Sequence, residues 1–347
     1  MNILIVKLSA VGDVIHTLPS LAALRRLYPE AHITWAVEEA AADIVRNHPD
    51  LDRVLVSRRK AWQKAIKRGS LREPLRGIRT FIADLRDRDY DVVIDFHGLF
   101  KSAVLVLLSR GRRKIGYDSF QEMSGLFYSE KIREDMSKHA VDRYLDFPLH
   151  LGAVPGKREF RIATGPENKR KVDELLAANG ITGPYIAVNP VAYWETKLWA
   201  EDRFAALCDR IGASHGLPVV LTGQPDPSLE RIRSLSSGEV KNLEGRTTLK
   251  DLAELYRRSL LLITTDSGPM HLAAAMGTPV VALFGPTDPR RTGPYGPGHQ
   301  VVRTAIPCAP CFRKSCREMT CMEGITVDAV FRATENVLAK RLGEGGG

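Results

Sequence analysis

No stretch of this 347-residue chain is apolar for long enough to cross a bilayer. Lys7, Asp13 and His16 stand where a signal peptide would need an unbroken apolar run, so the expectation is a chain that stays in the cytoplasm. Cysteine is scarce. Of the five, Cys208 stands alone and Cys308, Cys311, Cys316 and Cys321 crowd into one late segment, which argues for a reducing compartment rather than a disulfide framework. The first strand is not followed by G-x-G-x-x-G, which counts against a nicotinamide or flavin dehydrogenase. Acidic residues are nearly missing from one region. Between Ser57 and Thr80 nine basic residues face a single Glu73, so eight of the nine excess positive charges lie there. Lys60, Lys64, Lys67 and Arg68 share a helical face while Trp62 and Ile66 point elsewhere, and the segment reads as a basic amphipathic helix or mobile loop. Its density favours an anionic partner such as a membrane surface or phosphorylated lipid. Nucleic acid is set aside, because no nucleic-acid motif accompanies the patch.

What is present is strand and helix in alternation, twice over. The first half carries β-rich runs at Asn2 to Val6, His32 to Val37, Arg53 to Val56 and Val92 to Phe96, with helical stretches at Leu18 to Leu27, Ala40 to Val45 and Leu99 to Leu108. The second half repeats the pattern, with strands at Tyr185 to Val188, Val219 to Thr222, Val240 to Leu243, Leu260 to Thr264 and Val280 to Phe284. Helices are expected near Glu201 to Ala213, Ser228 to Leu235 and Leu249 to Arg258. A Gly- and Pro-rich stretch, Gly152 to Pro166, reads as the linker. The fold class is therefore α/β, as two doubly wound Rossmann-like domains over residues 1–165 and 166–325 facing a central cleft. A C-terminal helix and tail, 326–347, is expected to pack back on the first domain.

Two strand-to-helix junctions carry the chemistry. Thr265 to His271 follows a strand and opens an Ala-rich helix, so the free amides of the first turn can hold a phosphate or diphosphate. An ordinary cap at Asp266 or Ser267 with a buried His is the alternative. Lys7 to Asp13 follows the first strand and sets a carboxylate, Asp13, at a helix start beside Gly12; a plain capping role is again the alternative, and Pro19 argues against a helix that begins so early. Tyr193, Trp194 and Trp199 are candidate walls of a ligand pocket, with packing the commoner role of an aromatic near a sheet end, and His97 follows a strand end, where it either touches a ligand or is a satisfied structural histidine. Cys308, Cys311, Cys316 and Cys321 fall within the loose range of a metal site, with free thiols the favoured alternative and no metal expected.

Seven segments in order resemble the lipopolysaccharide heptosyltransferases, glycosyltransferase family 9: Ile5 to Pro19, Trp35 to Glu39, Arg59 to Trp62, Val93 to Ser102, Thr196 to Trp199, Asp266 to His271 and Phe284 to Asp288. The resemblance runs from Asn2 to about Val330. Trp35 to Glu39 and Arg59 to Trp62 are most similar to the branch that adds the first heptose to Kdo2-lipid A; the Cys-rich tail is more similar to the branch that adds the second. The resemblance implies a GT-B fold, and inverting transfer from ADP-L-glycero-β-D-manno-heptose as co-substrate, with no cofactor or metal required. It implies Asp13 as the base, and Thr196, Lys197, Asp266, Ser267, Gly268 and His271 on the donor. On the acceptor side it implies Arg59 and Lys60, with Arg58 alongside; Ser9, Gly12 and His97, at the ends of the first and fourth strands, are further acceptor candidates. Relatives also carry an acceptor Arg around Phe120 to Gly125, where this chain has none. The implied partners are ADP-heptose, Kdo2-lipid A or a related lipopolysaccharide acceptor, and the cytoplasmic face of the inner membrane, met peripherally by the basic segment. A GT-B transferase using another nucleotide sugar is the runner-up. A nucleotide-sugar- or lipid-binding protein without activity would not need Asp13, whose presence argues for an enzyme.

Overall fold

The computed structural model describes residues 1–118 and 125–343, and the chain divides into two units at Ala163/Thr164. The first unit runs β1 Asn2–Val6, α1 Val11–Leu27, β2 His32–Glu38, α2 Glu39–Val45, β3 Arg53–Ser57, α3 Arg59–Lys67, α4 Arg72–Leu85, β4 Tyr90–Asp95, α5 Phe100–Leu108, β5 Gly111–Tyr117, β6 Glu130–Ile132 and α6 Ala140–His150. The second runs α7 Pro166–Ala177, β7 Ile186–Asn189, α8 Glu201–His215, β8 Val219–Leu221, α9 Pro227–Leu235, β9 Val240–Asn242, α10 Leu249–Arg258, β10 Leu262–Thr265, α11 Gly268–Ala275, β11 Val280–Phe284, α12 Pro289–Thr292, β12 Gln300–Arg303, α13 Thr320–Glu323 and α14 Val327–Gly343.

Each unit builds one six-stranded sheet, β3-β2-β1-β4-β5-β6 and β12-β11-β10-β7-β8-β9. Neighbouring strands in both pair in parallel, as Leu4 with Thr34 and Val93, and Ile263 with Val188 and Val281. Helices cover both faces, so central strands have no solvent side: Ile3 to Val6 and Val280 to Val281 are fully buried, which is why they read as unbroken apolar runs. In both sheets the chain reverses direction of travel next to its first strand, between β1 and β4 and between β7 and β10. Open α/β sheets bind ligands outside the carboxyl ends of the strands at that reversal. Both motif-bearing junctions fall there.

Three expectations change. α1 begins at Val11, seven residues before the helix read from the sequence, and carries Pro19 in its interior. Nearly the whole helix is buried, so packing rather than backbone propensity holds it and the missing N–H is tolerated. The basic segment is two helices, α3 and α4, and Trp62 joins them: its ring meets Phe81 edge-on at 6.1 Å. A Cβ at Gly77 would stand 2.6 Å from the Trp62 indole nitrogen, so only glycine allows the approach. Lastly, α14 belongs to the compact second unit. Val330, Phe331, Ala333, Val337 and Leu338 enter the core of the second unit beside Phe204, Leu207 and Ile211, and each large side chain buried there contributes on the order of 1.5–3 kcal/mol.

Candidate active site

At the reversal of the first sheet, β1 ends in a charge inside the core. Lys7 is only 3% exposed, and its ammonium donates to the Phe96 carbonyl at 2.9 Å and the Tyr144 hydroxyl at 2.6 Å. With that oxygen accepting from Lys7, the Tyr144 hydroxyl is free to donate toward Asp13 Oδ1, 3.5 Å away. Asp13 is half-buried in the first turn of α1, and its Oδ2 accepts the Ala10 amide at 3.1 Å. It therefore caps its own helix and still presents a carboxylate. Burial alone would lower the Lys7 pKa, but Asp13, Tyr144 and Asp95 outweigh it and raise it. Burial, then Asp13, push the Tyr144 phenol up, so it stays protonated.

The loop after β4 is set by Asp95, a fully buried carboxylate with no accessible oxygen. Oδ1 accepts the amides of His97 and Gly98 at 2.8 and 3.1 Å; Oδ2 accepts the hydroxyls of Ser102 and Tyr128, both at 2.8 Å. Burial raises the Asp95 pKa against these four bonds. The result is a fixed turn, with Gly98 at φ +69°, that holds His97 beside the Asp13 cluster. Burial, Lys7 and Lys101 depress the His97 pKa to about 3, so its ring is neutral. The Ser9 backbone lies beside the ring, yet neither ring nitrogen has a partner at hydrogen-bonding geometry.

Ser9 joins this loop to the basic residues. Its hydroxyl accepts from Lys101 at 2.9 Å, and Lys101 stands 3.6 Å from Glu38 Oε1. The same oxygen accepts two bonds from the Arg59 guanidinium, at 3.0 and 2.9 Å. Arg58 pairs with Glu39 at 3.0 Å on the surface, and Lys60 is exposed in the first turn of α3. Burial lowers the Lys101 pKa, with Arg59 and Lys60 acting the same way and Glu38 opposing. Ser9, Arg59 and Lys60 are thus gathered at one sheet end with His97 and Asp13. The residues that sequence reading did not single out are Lys7, Glu38, Asp95, Lys101 and Tyr144. Four of them lie inside the quoted motifs, which was their available signal. Tyr144 lies in none. Of residues 120–125, where relatives carry an acceptor Arg, 120–124 lie outside the described residues.

The corresponding point of the second sheet is built from the other sign of charge. Asp266 is 6% exposed, and its Oδ2 takes the Lys197 ammonium at 2.7 Å and the Thr287 hydroxyl at 2.6 Å. It does not cap α11. Ser267 holds the cap position without a side-chain bond into the helix, and its hydroxyl lies 3.4 Å from that of Thr264. Gly268 and Pro269 open the helix, with His271 buried in its first turns. Thr196 is buried and donates to the Arg313 carbonyl at 2.8 Å, so its hydroxyl anchors a loop. Lys197 lies over the Trp194 ring, 4.5 Å from its centre. The other expected pocket walls differ: Trp199 is core, edge-on to Phe204 and bonded to the Ile325 carbonyl, while Tyr193 is 98% exposed. The four late cysteines are free thiols, and among the described residues no set of three His, Cys, Asp or Glu side chains has metal-holding geometry.

Comparison with known proteins shows a likeness that spans both units. The profile of glycosyltransferase family 9 (heptosyltransferase) matches residues 78–322. Lipopolysaccharide heptosyltransferase 1 of Pseudomonas aeruginosa is 32% identical over 332 residues, covering 91% of this chain and 87% of that protein. The structure of E. coli heptosyltransferase WaaC with ADP superposes with a TM-score of 0.80 at 28% identity, covering 97% of this chain and all of that one. WaaC with ADP-2-deoxy-2-fluoro heptose gives 0.77 at 27%, covering 97% and 99%. Two parallel six-stranded α/β units with this likeness are the GT-B fold. The chain belongs to glycosyltransferase family 9, and it is an enzyme of the heptosyltransferase type.

Proposed function

We propose that this chain moves L-glycero-D-manno-heptose from ADP-heptose to Kdo2-lipid A, with inversion at the anomeric carbon, in building the lipopolysaccharide inner core. The observation that carries the reading is Asp13: a half-buried carboxylate fixed by the Ala10 amide and backed by the Lys7 ammonium, at the sheet end where Ser9, Lys101 and Arg59 gather. WaaC has been seen with ADP and with ADP-2-deoxy-2-fluoro heptose, which supports the donor.

The acceptor hydroxyl attacks the anomeric carbon as the bond to the diphosphate oxygen breaks, and ADP leaves with that electron pair. The proton passes to Asp13. A carboxylate in the first turn of a helix is a weak base, so transfer comes late, after departure of ADP has made the sugar oxocarbenium-like and acidified the attacking hydroxyl. The same carboxylate stabilises positive charge at the sugar. Lys197 and the positive end of the α11 dipole carry charge on the leaving diphosphate. Asp266 fixes Lys197 and meets heptose hydroxyls, with His271 beside it. Arg58, Arg59, Lys60 and His97 take the phosphates, carboxylates and hydroxyls of the acceptor.

The basic helices add a location. Ile66, Leu71 and Leu75 are exposed at 40%, 56% and 48% among exposed Lys64, Lys67, Arg68 and Arg72, which fits peripheral binding to an anionic leaflet. No helix among the described residues is long and apolar enough to cross a membrane. Incubation with ADP-heptose and Kdo2-lipid A, read by mass spectrometry, should show one added heptose. If heptose appears only on an acceptor that already carries one, the chain adds the second; no transfer to either rejects the reading.

A further inference from the structure

The donor reading leaves an electrostatic question in the second unit. Lys197, the cation expected to hold the diphosphate, is already paired with the buried Asp266 at 2.7 Å, and Thr287 holds the same carboxylate oxygen. An arriving diphosphate therefore meets a nearly neutral pair, together with only the partial charge of a two-turn helix start. Arg290 is tied to Asp288 at 2.9 Å and Arg291 lies against Phe312. The observations point to a different cation. Lys314 places its ammonium 5.4 Å from the centre of the same Trp194 ring that Lys197 covers at 4.5 Å. It is exposed, and no carboxylate among the described residues pairs with it.

The segment that carries Lys314 is seated on the donor motifs by its backbone. The Arg313 carbonyl accepts the Thr196 hydroxyl at 2.8 Å, next to Lys197. The amides of Cys311 and Phe312 donate to the Pro286 carbonyl at 3.0 and 2.8 Å, next to Thr287. Three bonds thus index this late loop to both ends of the Lys197–Asp266 pair. We propose that Lys314 is a second diphosphate-binding residue of the nucleotide-sugar donor, which supplies the uncompensated positive charge that Lys197 lacks. The inference rests on the donor reading given above. It also gives the Cys-rich segment a task that does not involve its thiols: carrying a cation to the phosphates.

Calorimetric titration with ADP at several salt concentrations tests it on the parent enzyme, Lys314→Ala and Lys314→Arg. The Ala variant should bind ADP roughly three- to tenfold more weakly at low salt, the scale of one partly solvated charge-assisted contact. Its affinity should also fall less steeply with salt than that of the parent, and Arg should restore both affinity and slope. Equal affinity for parent and Ala variant overturns the proposal. So does weaker binding with an unchanged salt slope, because Lys314 would then act through loop packing. A parent that binds no ADP removes the donor reading and this inference together, whereas a parent that binds ADP beside an indifferent Ala variant removes this inference alone.

Discussion

The two units use one strand order and reverse the placement of charge at the same topological point. In the first, the cation is the buried member: Lys7 is 3% exposed and the half-buried Asp13 stands in front of it. In the second, the carboxylate of Asp266 is buried and the Lys197 side chain, 16% exposed, stands in front. Which member is accessible decides what each site can receive. An accessible carboxylate takes a proton from a hydroxyl; an accessible ammonium takes a phosphate oxygen. The fold is therefore neutral between acid–base work and anion binding, and the order in which one charged residue is buried behind its opposite makes the difference.

The change that should break the first arrangement most is Asp13→Asn, which keeps size and the Ala10 contact but removes the proton acceptor. Turnover should fall by about 10²-fold or more, the usual scale for a positioned base, while calorimetric ADP affinity changes little. Unchanged turnover would reduce Asp13 to a helix cap. In the second arrangement the order of burial gives Lys197→Ala two separable effects. ADP binding should weaken by about 1.5–3 kcal/mol, the range for a hydrogen bond to a charged group, and stability should fall because Asp266 is left buried without its ammonium. Adding Asp266→Asn should restore the melting temperature without restoring ADP affinity. Recovery of both by the double variant would show that Lys197 acts only by satisfying Asp266.

How much of this contrast was legible in sequence follows from distance along the chain. Asp13, Lys197 and Asp266 lie at strand ends, where local pattern is informative, and β11 and α10 have the bounds their periodicity predicts. The pairing of Lys7 with Tyr144 spans 137 positions, and nothing local announces it. β5 begins Gly111-Arg112-Arg113-Lys114, a charged opening that hides a strand, and β6 is three residues long. Local pattern shortens α1 because Pro19 outweighs the helix signals around it, and only the burial of the whole element overrides it. Local pattern offers a cap at Asp266 but not the buried ion pair, since Lys197 and Thr287 reach it from the loops after other strands.

A smaller effect sharpens the electrostatics of the first arrangement through pH. His97 is held neutral with a pKa of about 3, below its ordinary 6.5. Between those values the unfolded chain binds a proton that the folded chain refuses, so stability from this group is present above pH 6.5 and is lost as pH falls toward 3. The slope is at most about 1.4 kcal/mol per pH unit. His97→Gln should flatten denaturant midpoints measured between pH 7 and 5, and the parent's rate profile should show no step from His97 in that range. Equal slopes for parent and variant would mean that the ring titrates normally.

The smallest effect belongs to the basic helices, and it separates cations ordered at the proposed acceptor site from those that only attract. Arg59 is bonded to the buried Glu38, so Arg59→Ala leaves that carboxylate to Lys101 alone and perturbs the site itself. Lys64, Lys67 and Arg68 are exposed and hold no ion pair among the described residues, so replacing all three with Ala changes charge without disturbing a partner. Near an anionic leaflet each contributes up to about 1 kcal/mol at low salt, and most of that is lost beyond a Debye length of about 10 Å at 0.1 M. The triple variant should release anionic vesicles in a sedimentation assay. It should also raise acceptor KM roughly threefold at low salt, the order of a few exposed charges, flatten the rise of KM with ionic strength, and leave ADP affinity alone. Arg59→Ala should instead raise acceptor KM at every salt concentration, because its guanidinium shapes a fixed contact that screening does not remove. If the triple variant and Arg59→Ala respond to salt alike, α3 is a single electrostatic surface, and its ordered start carries no information about the acceptor.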